Sequence, residues 1–144
     1  MDIIQQFEKI IPDLVEKFDA IEVLYLFGSY ASGSADCDSD VDVALFVDDS
    51  KYSDNPLVDL EVGCLLDKEI NKRVDVVVMN RVSPIVQHEV LRTGKRLFER
   101  SPKSRCSFEL KSFKEYVDVK YYQRKRLGRL GRTMKDERGT MNGD

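Results

Sequence analysis

Residues 27–42, Phe-Gly-Ser-Tyr-Ala-Ser-Gly-Ser-Ala-Asp-Cys-Asp-Ser-Asp-Val-Asp, constrain this chain more than any other stretch. An apolar run, Val23 to Phe27, leads straight into Gly28-Ser29, and a loop of small residues follows. Asp40 and Asp42 then flank Val41 at the start of a second apolar run, Val43 to Val47. In the first run Val23, Tyr25 and Phe27 alternate with Leu24 and Leu26, so both faces are apolar and the strand is expected to be buried on both. Gly28 ends it and lets a backbone approach a ligand closely. Ser29 stands where a helical turn would begin, and amides there together with a hydroxyl suit a phosphate. Asp40 and Asp42 are two apart on a strand, which points both carboxylates to one face. Two like charges so close repel unless a cation lies between them, and oxygen ligands select magnesium or manganese over zinc. A phosphate cradle beside a two-carboxylate metal site is the equipment for phosphoryl or nucleotidyl transfer. Either half alone would be ordinary: Gly-Ser is common, and Asp-x-Asp usually marks a solvated turn or strand edge.

The spacing of Gly28-Ser29, ten further residues, and Asp40-Val41-Asp42 resembles the signature of the nucleotidyltransferase superfamily related to DNA polymerase beta. The short chain resembles its minimal members, the MNT proteins, which often pair with a HEPN-domain partner as toxin and antitoxin. The resemblance covers most of residues 20–120. It implies an α/β (α+β) fold with a small mixed sheet flanked by helices.

The remaining elements follow from pattern. Ile3, Ile4, Phe7, Ile10, Ile11, Leu14, Val15 and Phe18 have helical spacing, so residues 2–19 are expected to form an amphipathic helix that Pro12 kinks or splits. Strands are expected at 22–27 and 41–47, with a short helix from Ser29 toward Ala35 between them. Residues 48–55 read as a polar loop. Asn55-Pro56 supplies a cap and a first-turn proline for a helix ending near Asn71, with Leu57, Leu60, Cys64 and Leu65 as its buried face. Val74 to Val78 reads as a third strand interrupted by one acid, Asp75. A buried, unpaired carboxylate is costly. Asp75 is therefore expected either to pair with Arg73 or Lys72, or to complete a triad with Asp40 and Asp42. Ser83-Pro84 opens another helix that Gly94 closes, and Arg96 to Phe98 forms a short strand. The only histidine, His88, lies on that helix and is assigned no role. Cys106, Leu110, Phe113, Val117 and Tyr121 form a stripe on a helix of about 104–126, packed on the sheet or on a partner. Glycines among polar residues beyond it imply a flexible tail, which divides the chain into a domain of 1–127 and a basic tail of 128–144.

Composition bounds the rest. The 144 residues suit one domain, and no apolar run approaches membrane-spanning length or reads as a signal peptide. Cys37, Cys64 and Cys106 lack metal-site spacing and are odd in number, which fits free thiols in a reducing, cytoplasmic compartment. The net charge of −3 hides an asymmetry: residues 1–99 carry 10 Lys/Arg against 20 Asp/Glu, and residues 100–144 carry 13 against 6. The basic end points to an acidic partner, or is merely a solvated helix with a frayed end. Nucleic acid is not expected as a partner, because the rest of the chain is acidic.

By resemblance, Asp40 and Asp42 hold two magnesium ions, with Mn2+ as an alternative. Asp75 binds one of the ions and helps to activate the acceptor hydroxyl. Gly28 and Ser29 bind the phosphates of ATP. The resemblance further implies an antitoxin that transfers AMP from ATP to a tyrosine of a HEPN RNase toxin and so silences it. Two alternatives stand beside this. One is a small-molecule nucleotidyltransferase of the aminoglycoside type. The other is an antitoxin that neutralises by binding alone, against which an intact triad argues. Tyr30 and Ser32 stand where many relatives carry arginine.

Overall fold

The computed structural model describes residues 2–141, and the side chains of residues 2–130. Four strands form one mixed sheet: β1 (Ile21–Phe27), β2 (Val41–Val47), β3 (Val74–Val78) and β4 (Lys95–Glu99), in the order β3-β2-β1-β4. β1 pairs antiparallel with both β2 and β4, whereas β2 and β3 run parallel. A parallel pair needs a crossover. Two helices supply it, α3 (Asp49–Asp54) and α4 (Val58–Ile70). The other helices are α1 (Ile3–Lys17), α2 (Ser29–Ser32), α5 (Pro84–Thr93) and α6 (Pro102–Met141). The expected α/β architecture, with a mixed sheet between helices and a C-terminal helix, is the one observed.

Strand alternation divides the interior in two. One face of β2 presents Val41, Val43, Leu45 and Val47 to a core that α1 fills with Phe7, Ile11 and Leu14 and α4 with Val62 and Leu66. The other face presents Ala44 and Phe46, with Val23 and Tyr25 of β1, to Val90 and Leu91 of α5 and Phe108 of α6. Phe46 and Phe108 stack with ring centroids 4.8 Å apart. On the same face the buried Tyr25 donates its hydroxyl to Glu109 at 2.6 Å. Burial first, and that hydrogen bond second, hold the phenol well above its ordinary pKa. Arg105 joins Glu109 to Glu99, which fixes α6 to β4.

Local signals explain the boundaries. Asp2 caps α1 in a capping box with Gln5. Pro12 does not split α1, which runs unbroken from Ile3 to Lys17. A proline inside a helix costs about 3 kcal/mol, and the buried stripe of Phe7, Ile11 and Leu14 on either side of it outweighs that cost. Ser83 caps α5 as expected, its hydroxyl accepting from the Val86 amide. Gly94 ends α5 for want of space: a Cβ there would lie 2.6 Å from the Val90 carbonyl oxygen and 3.2 Å from that of Leu26.

Four expectations are corrected. Residues 48–55 are not all loop, because Asp48 accepts from the Ser50 amide and so caps the short helix α3. Asn55 ends α3 instead of opening α4, which starts at Val58 without a side-chain cap. The buried face of α4 is Val58, Val62, Gly63, Leu66 and Ile70, while Leu57 and Leu60 are 56% and 62% exposed. Both stripes have helical spacing, and valine against the sheet wins over leucine at the surface. Finally, α6 extends well beyond 126: the many Arg, Lys, Leu and Met residues after it are strong helix formers that carry the helix past Gly128. Of the expected tail, residues 142–144 lie outside the described residues.

Candidate active site

The end of β1 and the starts of β2 and β3 meet at one edge of the sheet. Phe27 pairs with Asp42 across the antiparallel ladder, and Asp42 pairs with Asp75 across the parallel one. The two acids therefore occupy neighbouring positions on one rung and share the face occupied by Ala44 and Phe46. Gly28 follows Phe27 with φ +72° and ψ −152°, a region open essentially to glycine alone. A Cβ on Gly28 would lie 2.2 Å from Oδ2 of Asp42, so the glycine is required by space as well as by backbone conformation. Its carbonyl accepts from the amides of Ala31 and Ser32 and starts α2. The amides that open a helix have no intrahelical carbonyl to bond, and here they stand beside the acids. α2 is shorter than expected and stops at Ser32, with Gly33 left-handed behind it.

The loop that delivers Asp40 is tied by its own side chains. Asp36 accepts from the Asp38 amide at 2.9 Å and from the Ser39 hydroxyl at 3.1 Å, and the Asp36 amide donates back to Ser39 Oγ. Such Asx turns hold a chain without help from secondary structure. The Val41 amide then bonds the Arg73 carbonyl, which sets the register of β2 on β3.

Electrostatics marks Asp42. Its carboxyl is pushed above the usual carboxylate range, first by burial, then by the charge of Asp75, then by that of Asp40. Asp75 and Asp40 thus both stand close enough for their charges to bear on Asp42. Among the described residues, however, no three His, Cys, Asp or Glu side chains stand as a ready-made metal cage. Arg73 intervenes: its Nε lies 3.6 Å from Asp75 and 4.0 Å from Asp40. Asp75 is therefore paired and half-exposed, so the ion pair named as one alternative exists and the buried-charge argument loses force. The all-oxygen donor set, the like-charge strain on Asp42 and the cationic group already drawn between Asp40 and Asp75 fit a hard divalent ion. Lys72 lies over the Tyr30 ring at 5.9 Å, on the α1 side of the sheet. Cys37, Cys64 and Cys106 are exposed free thiols. His88 stacks on Tyr116 of α6 at 3.6 Å, a packing role away from the acids.

Residues 8–103 match the family described as Polymerase beta, Nucleotidyltransferase. The protein adenylyltransferase MntA of Aphanizomenon flos-aquae is 30% identical over 121 residues, covering 79% of this chain and 81% of that one. The protein adenylyltransferase MntA of Shewanella oneidensis is 31% identical over 90 residues, 62% of this chain and 63% of that one. A toxin–antitoxin crystal structure with AMP-PNP superposes with a TM-score of 0.68 at 22% identity, covering 85% of this chain and 97% of that one. A structure of tri-AMPylated Shewanella oneidensis HEPN toxin with its MNT antitoxin gives 0.60 at 22% identity, over 92% and 99%. These solved structures share the fold. With the profile spanning most of the chain and the Aphanizomenon relative most of its length, the chain belongs to the polymerase beta nucleotidyltransferase family and groups with its MntA-type adenylyltransferases.

Proposed function

We propose that the chain transfers AMP from ATP to a tyrosine hydroxyl of a HEPN-domain RNase toxin and silences it as an antitoxin. The observation that carries this is the rung of Asp42 and Asp75 with Gly28 pressed against Asp42. Relatives named protein adenylyltransferase support the choice of reaction. The solved complex of a tri-AMPylated HEPN toxin with its MNT antitoxin supports the choice of acceptor.

Asp40 and Asp42 hold magnesium, two ions in all with Mn2+ as an alternative, and Asp75 supplies a further oxygen. Magnesium held there would neutralise phosphate charge and act as a Lewis acid. Gly28 and Ser29 hold the phosphates of ATP. The tyrosine oxygen attacks the α-phosphorus, the bond from that phosphorus to the oxygen bridging the β-phosphate breaks, and pyrophosphate leaves. Asp75 takes up the hydroxyl proton. The catalytic domain spans 1–127, and the basic segment 128–144 assists association. The exposed free thiols of Cys37, Cys64 and Cys106 support a reducing, cytoplasmic compartment. Among the described residues no helix is long and apolar enough to cross a membrane.

The test is transfer from α-labelled ATP to the HEPN-domain protein of the same operon. Label on a toxin tyrosine, with loss of RNase activity, is the expected outcome. Label on an aminoglycoside instead would favour the small-molecule reading. Silencing without label would favour a binding antitoxin.

A further inference from the structure

The acidic edge of the sheet is built from two rungs of the β2–β3 ladder. Asp42 pairs with Asp75. The Val41 amide bonds the Arg73 carbonyl, and the same register continued outward sets Asp40 beside Arg73. Residues two apart on a strand share a face. Asp42, Asp75, Asp40 and Arg73 therefore mark the corners of one patch, three of them carboxylates and the fourth a guanidinium.

That guanidinium is loosely held. Its Nε lies 3.6 Å from Asp75 and 4.0 Å from Asp40, both beyond hydrogen-bond length, and the side chain is 75% exposed. Exposed ion pairs of this kind contribute little and break readily. The backbone beneath is fixed on both sides: the Val74 amide donates to Asp67 at 2.6 Å, and the Arg73 carbonyl accepts from Val41 at 2.9 Å. The side chain is free to swing while its origin stays beside the acids.

Charge decides where it swings. Residues 18–50 supply β1, the Gly28-Ser29 turn, Asp40 and Asp42, and they include 8 Asp/Glu and no Lys, Arg or His. Phosphates brought to this stretch meet no cation of its own. Neighbouring cations are turned away or engaged. Lys95 opposes Leu26 and shares its face, toward the core filled by α1. Lys72 lies over the Tyr30 ring. Arg92 is paired with Glu89 at 2.7 Å, and Arg96 lies 3.8 Å from Glu99. Arg73 stands on the face of the acids. A guanidinium offers phosphate two parallel N–H donors and keeps its charge at any working pH. A divalent ion that takes Asp40 and Asp75 removes both ion-pair partners of Arg73. The nearest anion is then the phosphate bound by the same ion.

We propose that Arg73 is a nucleotide-binding residue, which yields Asp40 and Asp75 to magnesium and takes a phosphate of the nucleotide in exchange. The inference rests on the nucleotidyl-transfer reading above. It adds that metal and nucleotide bind as a pair. Magnesium alone leaves the guanidinium unmatched, whereas magnesium with phosphate leaves it a partner.

The test is calorimetry on the full chain, with magnesium chloride alone and with magnesium plus α,β-methylene-ATP, which cannot release AMP. In Arg73→Gln the affinity for this nucleotide should fall about tenfold, the scale of one charge-assisted hydrogen-bonded contact, with circular dichroism unchanged. Affinity for magnesium alone should not fall. Arg73→Lys keeps the charge without the planar fork and should recover part of the loss. Equal nucleotide affinity in wild type and Arg73→Gln would overturn the proposal. So would a loss of magnesium affinity as large as the loss for nucleotide, since Arg73 would then only orient the acids. A Lys variant no better than Gln would overturn it too, because charge would not be what binds. Wild type that binds no magnesium nucleotide would overturn the transfer reading together with this inference. Acceptor labelling by wild type and Arg73→Gln with equal KM for ATP would overturn this inference alone.

Discussion

Gly28 and Asp42 share one small volume: any side chain on the first would occupy the place of the carboxylate of the second. Gly28→Ala therefore has two separate costs. The backbone conformation excludes side chains, at about 1–3 kcal/mol, and the methyl must displace Asp42. Denaturant unfolding should show the lost stability. Turnover should fall further than stability alone explains, because the displaced group is one of the acids.

Asp42 should make the protein less stable as pH rises. Its carboxyl titrates above the ordinary range in the folded state, so between the unfolded and folded pKa values the native form binds more protons than the unfolded one. Unfolding free energy then falls as pH increases through that window. Asp42→Asn should flatten this dependence and raise the melting temperature of the metal-free protein at neutral pH. An unchanged pH profile in the variant would show that the strain on Asp42 is relieved elsewhere.

Asp40→Asn and Asp75→Asn should fold normally and lose transfer on the order of a hundredfold or more, as expected for electrostatic catalytic groups. Calorimetry with ATP should show binding that depends on magnesium and vanishes in EDTA. Equal heats with and without the chelator would argue against the acids as ligands.

Arg73 competes with any cation for Asp40 and Asp75. Its ion pairs are solvent-exposed, and such pairs contribute about 0–1 kcal/mol to stability. Arg73→Gln should leave the melting temperature nearly unchanged and tighten magnesium binding in the absence of nucleotide. Weaker binding would mean that Arg73 orients the acids instead of screening them.

Truncation between Tyr122 and Gln123 removes Arg124, Lys125, Arg126, Arg129 and Arg132 while keeping α6 up to Tyr122. Long-range attraction governs how fast charged surfaces meet. Stopped-flow association with the acceptor should slow and lose salt dependence, with magnesium-ATP binding preserved. An unchanged rate at low salt would remove the basic segment from the encounter.

Alternation made the strands legible. β2 and β3 lie where Val41–Val47 and Val74–Val78 place them: β2 is buried on both faces, and valine-rich β3 forms the edge beside it with Asp75, Val76 and Val77 half-buried. Gly28, Asp42 and Asp75 are brought together as their spacing implied. Helix faces were harder, since one stripe of correct period does not say which side the sheet will take. On α4 the β-branched Val58 and Val62 pack inward and Leu57 and Leu60 outward. On α6 the inward side is built from Phe108 together with polar groups that find partners only across the fold, such as Glu109 with Tyr25. No local pattern announces a pair so distant in sequence. Arg73 was legible as a neighbour of Asp75, but its reach to Asp40 depends on how β3 sits beside β2.

All five residues proposed for the chemistry fall between Gly28 and Asp75, within the hairpin of β1 and β2 and the crossover to β3, and α6 begins only at Pro102. The proposed chemistry is thus written in one continuous stretch of the gene, ahead of α6. A lineage can exchange its last helix by one recombination point near Arg100 without rewriting that stretch. Chimeras joined there should keep the nucleotide preference of the first parent.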